Sequence, residues 1–558
     1  MTRRGFDEVW PTGVSKTLNY PSITINQQFE NLVKKNPELT YVSLLGIEYS
    51  YAEVNDMANR LAAALKKLSV QKGDRIGLFM PNIPQYVIGF LAILKTGAIV
   101  VPISPVYGSE DLKFQLKDSG VKVIILLDLL YPQLEEASLK DIELVTKITT
   151  SIGDLLSPIK RILAKLLRKI PKSPDIPNAT NFFRLIEENE PIEETIEFNP
   201  EEDIAVLQYT GGTTGRPKGA MLTHRNIVSN MLQLREWGII IHPEGDHKRF
   251  LGAVPFFHVI GMTAVMLSAA QYESTIFLVP NPREIETILK IIDKHKINYF
   301  HGVPTLFRAI LDHAKFGSYN LNSLDIIFSG GAPLSAELGQ RIESNFGKAI
   351  VVEAYGLTET SPAVTANPME AEKRRFGSIG IPLPDTWINI ISLENEEVLP
   401  PNEIGEIVIN GPQVMKGYYK QKEETELIIK EKYLHTGDIG YMDEEGFFFI
   451  VNRKKDMINV SGFKVFPSEV EAIILETIPQ IEEVAIVAYP DEYRGEIPKA
   501  YVVLKENQTL TESEFLTKIE SKVAKYKVPR QVEFRDSLPK TGIGKIDRKI
   551  LRSEGFSV

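Results

Sequence analysis

The sequence contains no cysteine. Disulfides, thiolate-bound zinc and an acyl-enzyme on a protein thiol are therefore excluded. If a thioester is made, its sulfur must come from outside the chain. Long apolar runs are missing too. The stretches at 87–103 and 254–270 are broken by Lys95, Gly97 and Pro102, and by His258 and Gly261. A spanning helix needs about 20 apolar residues, so both read as buried core. The first ten residues mix Arg3 and Arg4 with Asp7 and Glu8 and lack the apolar segment of a secretory leader, which points to a cytoplasmic protein. Nor is there an excess of positive charge: 63 basic against 73 acidic residues give a formal charge of -10. That balance excludes the usual electrostatic footprint of a nucleic-acid binder.

What is present is an ordinary globular composition, 43% hydrophobic and 24% charged, in a chain of 558 residues. At roughly 100 to 200 residues per domain this implies several structural units. Between 50 and 130, helical patterns at 51–68, 85–96 and 111–119 alternate with apolar runs at 75–80, 99–102 and 121–127. The same rhythm returns between 275 and 355. Such alternation predicts parallel, helix-covered sheets, here in two α/β subdomains. From about 376 to 452 the text changes to short strands and Gly/Pro turns, a β-rich part. Beyond it, helices at 467–475 and 512–523 and strands at 484–489 and 500–504 predict a small α+β domain.

The segment 157–172, SPIKRILAKLLRKIPK, places Ile159, Ile162, Leu163, Leu166, Leu167 and Ile170 on one helical face, with six Lys/Arg and no acid elsewhere. This suits a helix lying on an anionic membrane surface. It equally suits an exterior helix packing its apolar face on its own protein.

Residues 209–219 read YTGGTTGRPKG. Gly211, Gly212 and Gly215 leave backbone amides exposed, Thr210, Thr213 and Thr214 add hydroxyls, and Lys218 adds a charge, a combination that suits a triphosphate. The Walker pattern is excluded because Pro217 and Gly219 flank the lysine.

This loop, with PFFHVIG at 255–261, SGGAPLS at 329–335, YGLTET at 355–360, TGDIG at 436–440, NRKKDMINVSGFKVFPSEVE at 452–471 and PKTGIGK at 539–545, resembles the adenylate-forming enzymes. These comprise AMP-forming acyl-CoA synthetases, luciferases and peptide-synthetase adenylation domains. The resemblance covers nearly the whole chain, in the family's order, and 435–471 looks closest to medium- and long-chain fatty acyl-CoA synthetases.

It implies an N-terminal domain, 1–452, and a mobile C-terminal lid, 453–558, hinged near Lys455. It implies ATP and coenzyme A as cosubstrates and magnesium held by Glu359 and Thr210. Gly330, Gly331, Ala332, Pro333, Tyr355, Gly356 and Thr358 would surround the nucleotide, and Asp438 and Arg453 the ribose. His258 would stand at the mouth of the acid site, and Lys545 would be the catalytic lysine. Ser461 and Gly462 would line the coenzyme A channel. A homodimer is compatible with the resemblance. Acid-pocket residues are expected just after His258, near Gly302 and Val303, and before Gly331. An aryl-acid CoA ligase shares every motif. An acyl-AMP ligase loading a carrier protein would carry an insertion that 410–470 lacks.

Overall fold

A computed structural model describes residues 8–137, 142, 144, 146–155, 173–192, 196–210, 217–243, 245–461, 463–491, 493–520, 522–540 and 546–554. The segment 157–172 therefore lies outside the described residues, as do Gly211, Gly212, Thr213, Thr214, Gly215, Gly462 and Lys545. The described chain packs into two units, one from residues up to 210 with 217–387 and 410–432, the other from 388–409 and 433–554. Most of the β-rich stretch thus groups with the residues that follow it. No helix among the described residues is long and apolar enough to cross a membrane.

In the larger unit the first α/β stretch becomes an eight-stranded sheet. Its order is Gly417–Tyr418, Gly219–Thr223, Ile204–Tyr209, Ile99–Ile103, Arg75–Phe79, Val123–Leu127, Thr146–Thr150 and Ala179–Asn181. From Ile204–Tyr209 onward all neighbours are parallel. Local chemistry explains the elements. Helix Tyr51–Lys67 begins at Ser50, whose hydroxyl accepts from Glu53 N while the Glu53 side chain accepts from Ser50 N. Pro84 opens helix Pro84–Lys95, every residue of which is buried. Val123–Leu127 is apolar throughout because helices cover both of its faces.

The second stretch builds a nine-stranded sheet, ordered Ile381–Pro382, Ala363–Ala366, Ile350–Gly356, Ile326–Ser329, Tyr299–Gly302, Arg249–Gly252, Thr275–Leu278, Thr40–Leu44 and Ile47–Ser50. The run from Ile350–Gly356 to Thr40–Leu44 is parallel. One face carries Leu251, Phe300, Ile327 and Val351, packed under helices Ile285–His295, Pro304–Leu311 and Ala336–Asn345. The apolar region at 254–270 is buried as expected and contains a π-helical segment, Ile260–Leu267. Such wide turns are rare and mark functional places. Gly261 allows the close approach, since a Cβ there would lie 2.1 Å from the Pro255 carbonyl oxygen.

The second unit contains the antiparallel strands Gly405–Asn410, Tyr433–Met442 and Phe448–Arg453. After the turn Lys454–Asp456 come the hairpin Ile458–Val460 with Phe463–Val465, helix Pro467–Thr477, and the hairpin Ile481–Asp491 with Gly495–Leu504. That last hairpin runs well past the strands expected at 484–489 and 500–504. Its tip pairs Pro490 with Glu496 and Asp491 with Gly495, residues that carry no apolar alternation to signal a strand.

Candidate functional site

Four of the sequence motifs leave the carboxyl ends of neighbouring parallel strands in the nine-stranded sheet. PFFH follows Gly252, Val303 follows Gly302, GGAP follows Ser329, and LTE follows Gly356. Ligands of open parallel sheets bind outside these ends. A fifth motif, the loop at 210–218, closes the hairpin of Ile204–Tyr209 with Gly219–Thr223, and Thr210 N donates to Lys218 O at 2.9 Å.

The ends of that loop meet the YGLTE motif through a segment the sequence reading passed over. Strand Gly417–Tyr418 pairs with Gly219–Thr223, setting Tyr418 opposite Ala220. Its hydroxyl donates to Glu359 Oε1 at 2.6 Å, while Met415 N donates to the Glu359 carbonyl. The Tyr418 ring also lies 5.2 Å from Lys218 Nζ, which is paired with Glu424. Glu359, Tyr418, Lys218 and Glu424 are thus one polar set at the base of the loop. Tyr418 and Glu424 sit in a stretch, GYYKQKEET, whose tyrosines and acids carry no spacing signal.

Gly356 is fixed by close approach, because a Cβ there would lie 1.7 Å from the Pro362 carbonyl oxygen. Thr358 and Glu359 follow on the 3-10 turn Thr358–Thr360 and stay partly accessible. Thr360 is buried and ties the turn, donating to Pro362 O at 2.6 Å and accepting from Leu357 N at 2.9 Å. Tyr355 is buried near the end of its strand.

The glycine loop is held from beneath. Gly330 N donates to Gly302 O at 3.2 Å, and Gly331 has φ +76, a left-handed conformation that favours glycine. A Cβ on Gly331 would stand 3.4 Å from Ile260 Cδ1 and 3.6 Å from Val303 Cγ1. The three regions expected to line an acid pocket therefore converge on one point. Ala332 and Pro333 continue the loop, and Leu334 N donates to Glu353 Oε1 at 3.0 Å.

Glu353 is buried, and burial pushes its carboxyl up to about 8 from an ordinary 4.5, with the Leu334 amide acting the other way. The folded state then binds more protons than the unfolded chain between those two values, so this residue's contribution makes stability fall as pH rises through that window. Glu353→Gln should flatten that part of the stability profile, measured by denaturant midpoints from pH 5 to pH 8 (a window of about three units set by the shift).

His258 stands in a turn fixed by the other sheet. Asn82 accepts from Phe256 N at 2.8 Å and donates to Gly252 O and Val254 O; Tyr86 OH donates to Phe256 O at 2.9 Å, and Gln208 Nε2 to Phe257 O at 2.9 Å. His258 Nδ1 accepts from Ile260 N at 3.3 Å, which places the ring proton of the neutral form on Nε2. Asn82, buried between a strand and a helix, is a second residue the motifs did not reveal.

In the second unit Asp438 and Arg453 lie in register on adjacent strands, with Arg453 Nε 2.5 Å from Asp438 Oδ1. The TGD turn is organised by Glu406, an acid in the otherwise apolar strand GEIVIN. It accepts from Gly437 N at 3.1 Å and from Lys454 Nζ at 2.9 Å. That mismatch of an acid with a buried strand was its only signal. Lys455 follows, and burial together with the Arg453 charge lowers its ammonium to about 8. Ser461 has φ 51 and donates its amide to Arg494 O at 2.9 Å. It borders a groove of about 220 Å³ that also holds Phe463, Arg494, Lys525, Tyr526 and Arg530. Phe463, 58% exposed, stacks on Tyr526 at 4.8 Å and 23°.

Comparison with known proteins matches residues 29–419 to the AMP-binding enzyme family and 469–545 to the AMP-binding enzyme C-terminal domain. A long-chain-fatty-acid–CoA ligase of Bacillus subtilis (strain 168) is 41% identical over 550 residues, covering 98% of this chain and 97% of that protein. A protein of the same name from Escherichia coli O6:H1 is 36% identical, covering 98% and 97%. Among solved structures, the anthranilate CoA ligase AuaEII in complex with anthranoyl-AMP superposes with a TM-score of 0.83 at 25% identity, covering 97% of this chain and 98% of that one. Sharing the family's motifs in order, its fold and its sequence over nearly the whole length, this chain belongs to the AMP-binding enzyme family.

Proposed function

We propose that the protein is an AMP-forming acyl-CoA synthetase acting on medium- or long-chain fatty acids. The acid oxygen attacks the α-phosphorus of ATP and pyrophosphate leaves; the thiol of coenzyme A then attacks the acyl-adenylate carbonyl and AMP leaves. The observation that carries this reading is the placement of an apolar convergence suited to an alkyl chain at the carboxyl edge of the nine-stranded sheet, from which Glu359 also emerges to meet, through Tyr418, the lysine of the other sheet's loop in a polar set suited to phosphates. The polar set comprises Lys218 and Glu359, the apolar convergence Ile260, Val303 and Gly331. The likeness to long-chain-fatty-acid–CoA ligases supports the choice of acid.

Each residue has work its chemistry can do. Lys218 exchanges Glu424 for the β- and γ-phosphates. Glu359 Oε1 is taken by Tyr418, which leaves Oε2 for a cation. No cluster of three or more protein ligands occurs among the described residues. One carboxylate plus substrate phosphates is how magnesium is commonly held, so the residues present fit it, with Thr210 as a further oxygen. When bound it neutralises phosphate charge. The flat backbone at Gly330 and Gly331 and the Tyr355 ring receive adenine, and Asp438 and Arg453 receive the ribose. Ser461 borders the groove of Arg494, Lys525 and Arg530, whose cations and stacked aromatics suit the phosphates and base of coenzyme A.

Lys455 is the pivot of the lid in this proposal. Fixing its φ with Lys455→Pro should slow one half-reaction at least about tenfold and spare the other. Rapid-quench measurement of each half-reaction checks this, and both half-reactions persisting at the wild-type rate would place the pivot elsewhere. The function itself is tested by pyrophosphate release across saturated acids of increasing length and an aryl acid, with and without coenzyme A. A hydrophobic-acid optimum with AMP turnover dependent on coenzyme A is expected. Preference for the aryl acid would overturn the choice of fatty acid.

A further inference from the structure

Resting on that function, we propose that His301 and Phe328 form the floor of the acid cleft and set the length of chain it accepts. The central strands of a large sheet are normally covered on both faces. One face of Tyr299–Gly302 and Ile326–Ser329 is covered by the core around Phe300 and Ile327. On the other face, Phe328, Val303 and Ala354 keep accessible surface, and His301 keeps 8%. That face is therefore less completely covered over the middle of the sheet than the other, which is where we place the cleft.

Its walls follow from strand geometry. Val303 is extended (φ -112, ψ 154), so its side chain leaves on the same face as that of His301. Val303 and Ile260 bracket Gly331, where the carboxyl end of the acid would enter. His301 lies two residues back, about 7 Å along the strand. There its ring stacks on Phe328 at 4.7 Å and 15°, with Phe250 on its other side at 6.1 Å and 16°. Beyond it the face is solid. Phe250 stacks on Tyr299 at 4.5 Å, Tyr272 on His242 at 4.6 Å, and all four are buried.

His301 suits a floor because its ring is held flat between two phenylalanines and carries no charge. Its Nδ1 has no hydrogen-bond partner among the described residues, and burial drives the ring down to about 3, so it stays neutral. A neutral imidazole flat against phenylalanine presents a face that an alkyl chain can meet. Removing either ring should let the chain pass deeper.

The test is kcat/KM for pyrophosphate release with saturated acids of increasing length, for wild type, His301→Ala, Phe328→Ala and His301→Leu. Both alanine variants should move the optimum to longer acids, each carbon beyond the wild-type limit recovering about 10-fold or more. His301→Leu, close in volume, should keep the wild-type profile. Alanine variants with the wild-type profile would overturn the floor while leaving the function standing. If His301→Ala does not fold, Phe328→Ala, at a partly accessible position, decides alone. A wild type inert with every fatty acid but active with another acid would overturn the function, and the floor with it.

Discussion

Lys545→Ala should abolish adenylate formation while leaving thioester formation from supplied acyl-AMP largely intact. In the role we propose for Lys545, its ammonium would lie between a carboxylate and a polyphosphate, two anions that repel, and would stabilise charge that develops only in the transition state. Loss of one such donor costs on the order of 10²–10³ in rate, and more where the whole counter-charge goes. In the second step a thiol attacks the acyl carbonyl and the charge that develops passes to the departing AMP phosphate, but no carboxylate has to approach a polyphosphate, so the counter-charge asked of Lys545 is not required there. Pyrophosphate exchange for the first step and conversion of synthetic acyl-AMP with coenzyme A for the second separate them. Equal loss in both would remove Lys545 from the role given to it.

The next largest effect is expected at Glu359. Glu359→Gln keeps the shape and the acceptor for the Tyr418 hydroxyl, 2.6 Å away, but removes the charge that a cation requires. Adenylation should fall by about 10² or more, and raising magnesium should restore part of it. Tyr418→Phe is the useful contrast. It leaves the charge and removes only the hydrogen bond that orients it, so a smaller loss, seen mainly in KM for ATP, is expected. A Glu359→Gln protein with the wild-type magnesium dependence would show that the cation is held elsewhere.

The parallel sheets were legible because buried strands such as Val123–Leu127 are apolar without interruption and capped helices separate them. The motifs were legible because glycine, threonine and lysine at fixed spacing have few other uses. Glu359, His258 and Gly331 each emerge at the carboxyl edge of the nine-stranded sheet. What escaped were partners set by pairing between distant segments. Tyr418 matters through its register with Ala220, and Glu406 through the turn of a neighbouring strand, and neither relation leaves a local pattern. Asn82 escaped because a buried asparagine between a strand and a helix reads as a cap. Membership of the sheets was hidden for the same reason, since Thr40–Leu44 joins the one built mostly from residues beyond 249.

The pairing of Gly417–Tyr418 with Gly219–Thr223 also bears on how the protein is made. During synthesis the hairpin joined by residues 210–218 emerges long before the strand that covers its outer edge. Until then that edge offers unpaired amides and carbonyls to any passing strand. Nucleotide binding competence and protection from mispairing therefore mature together and late, when the ribosome has passed residue 418. A chain shortened before that point would lose more than its C-terminal domain, because the hairpin would be left with an open edge and without the tyrosine that orients Glu359.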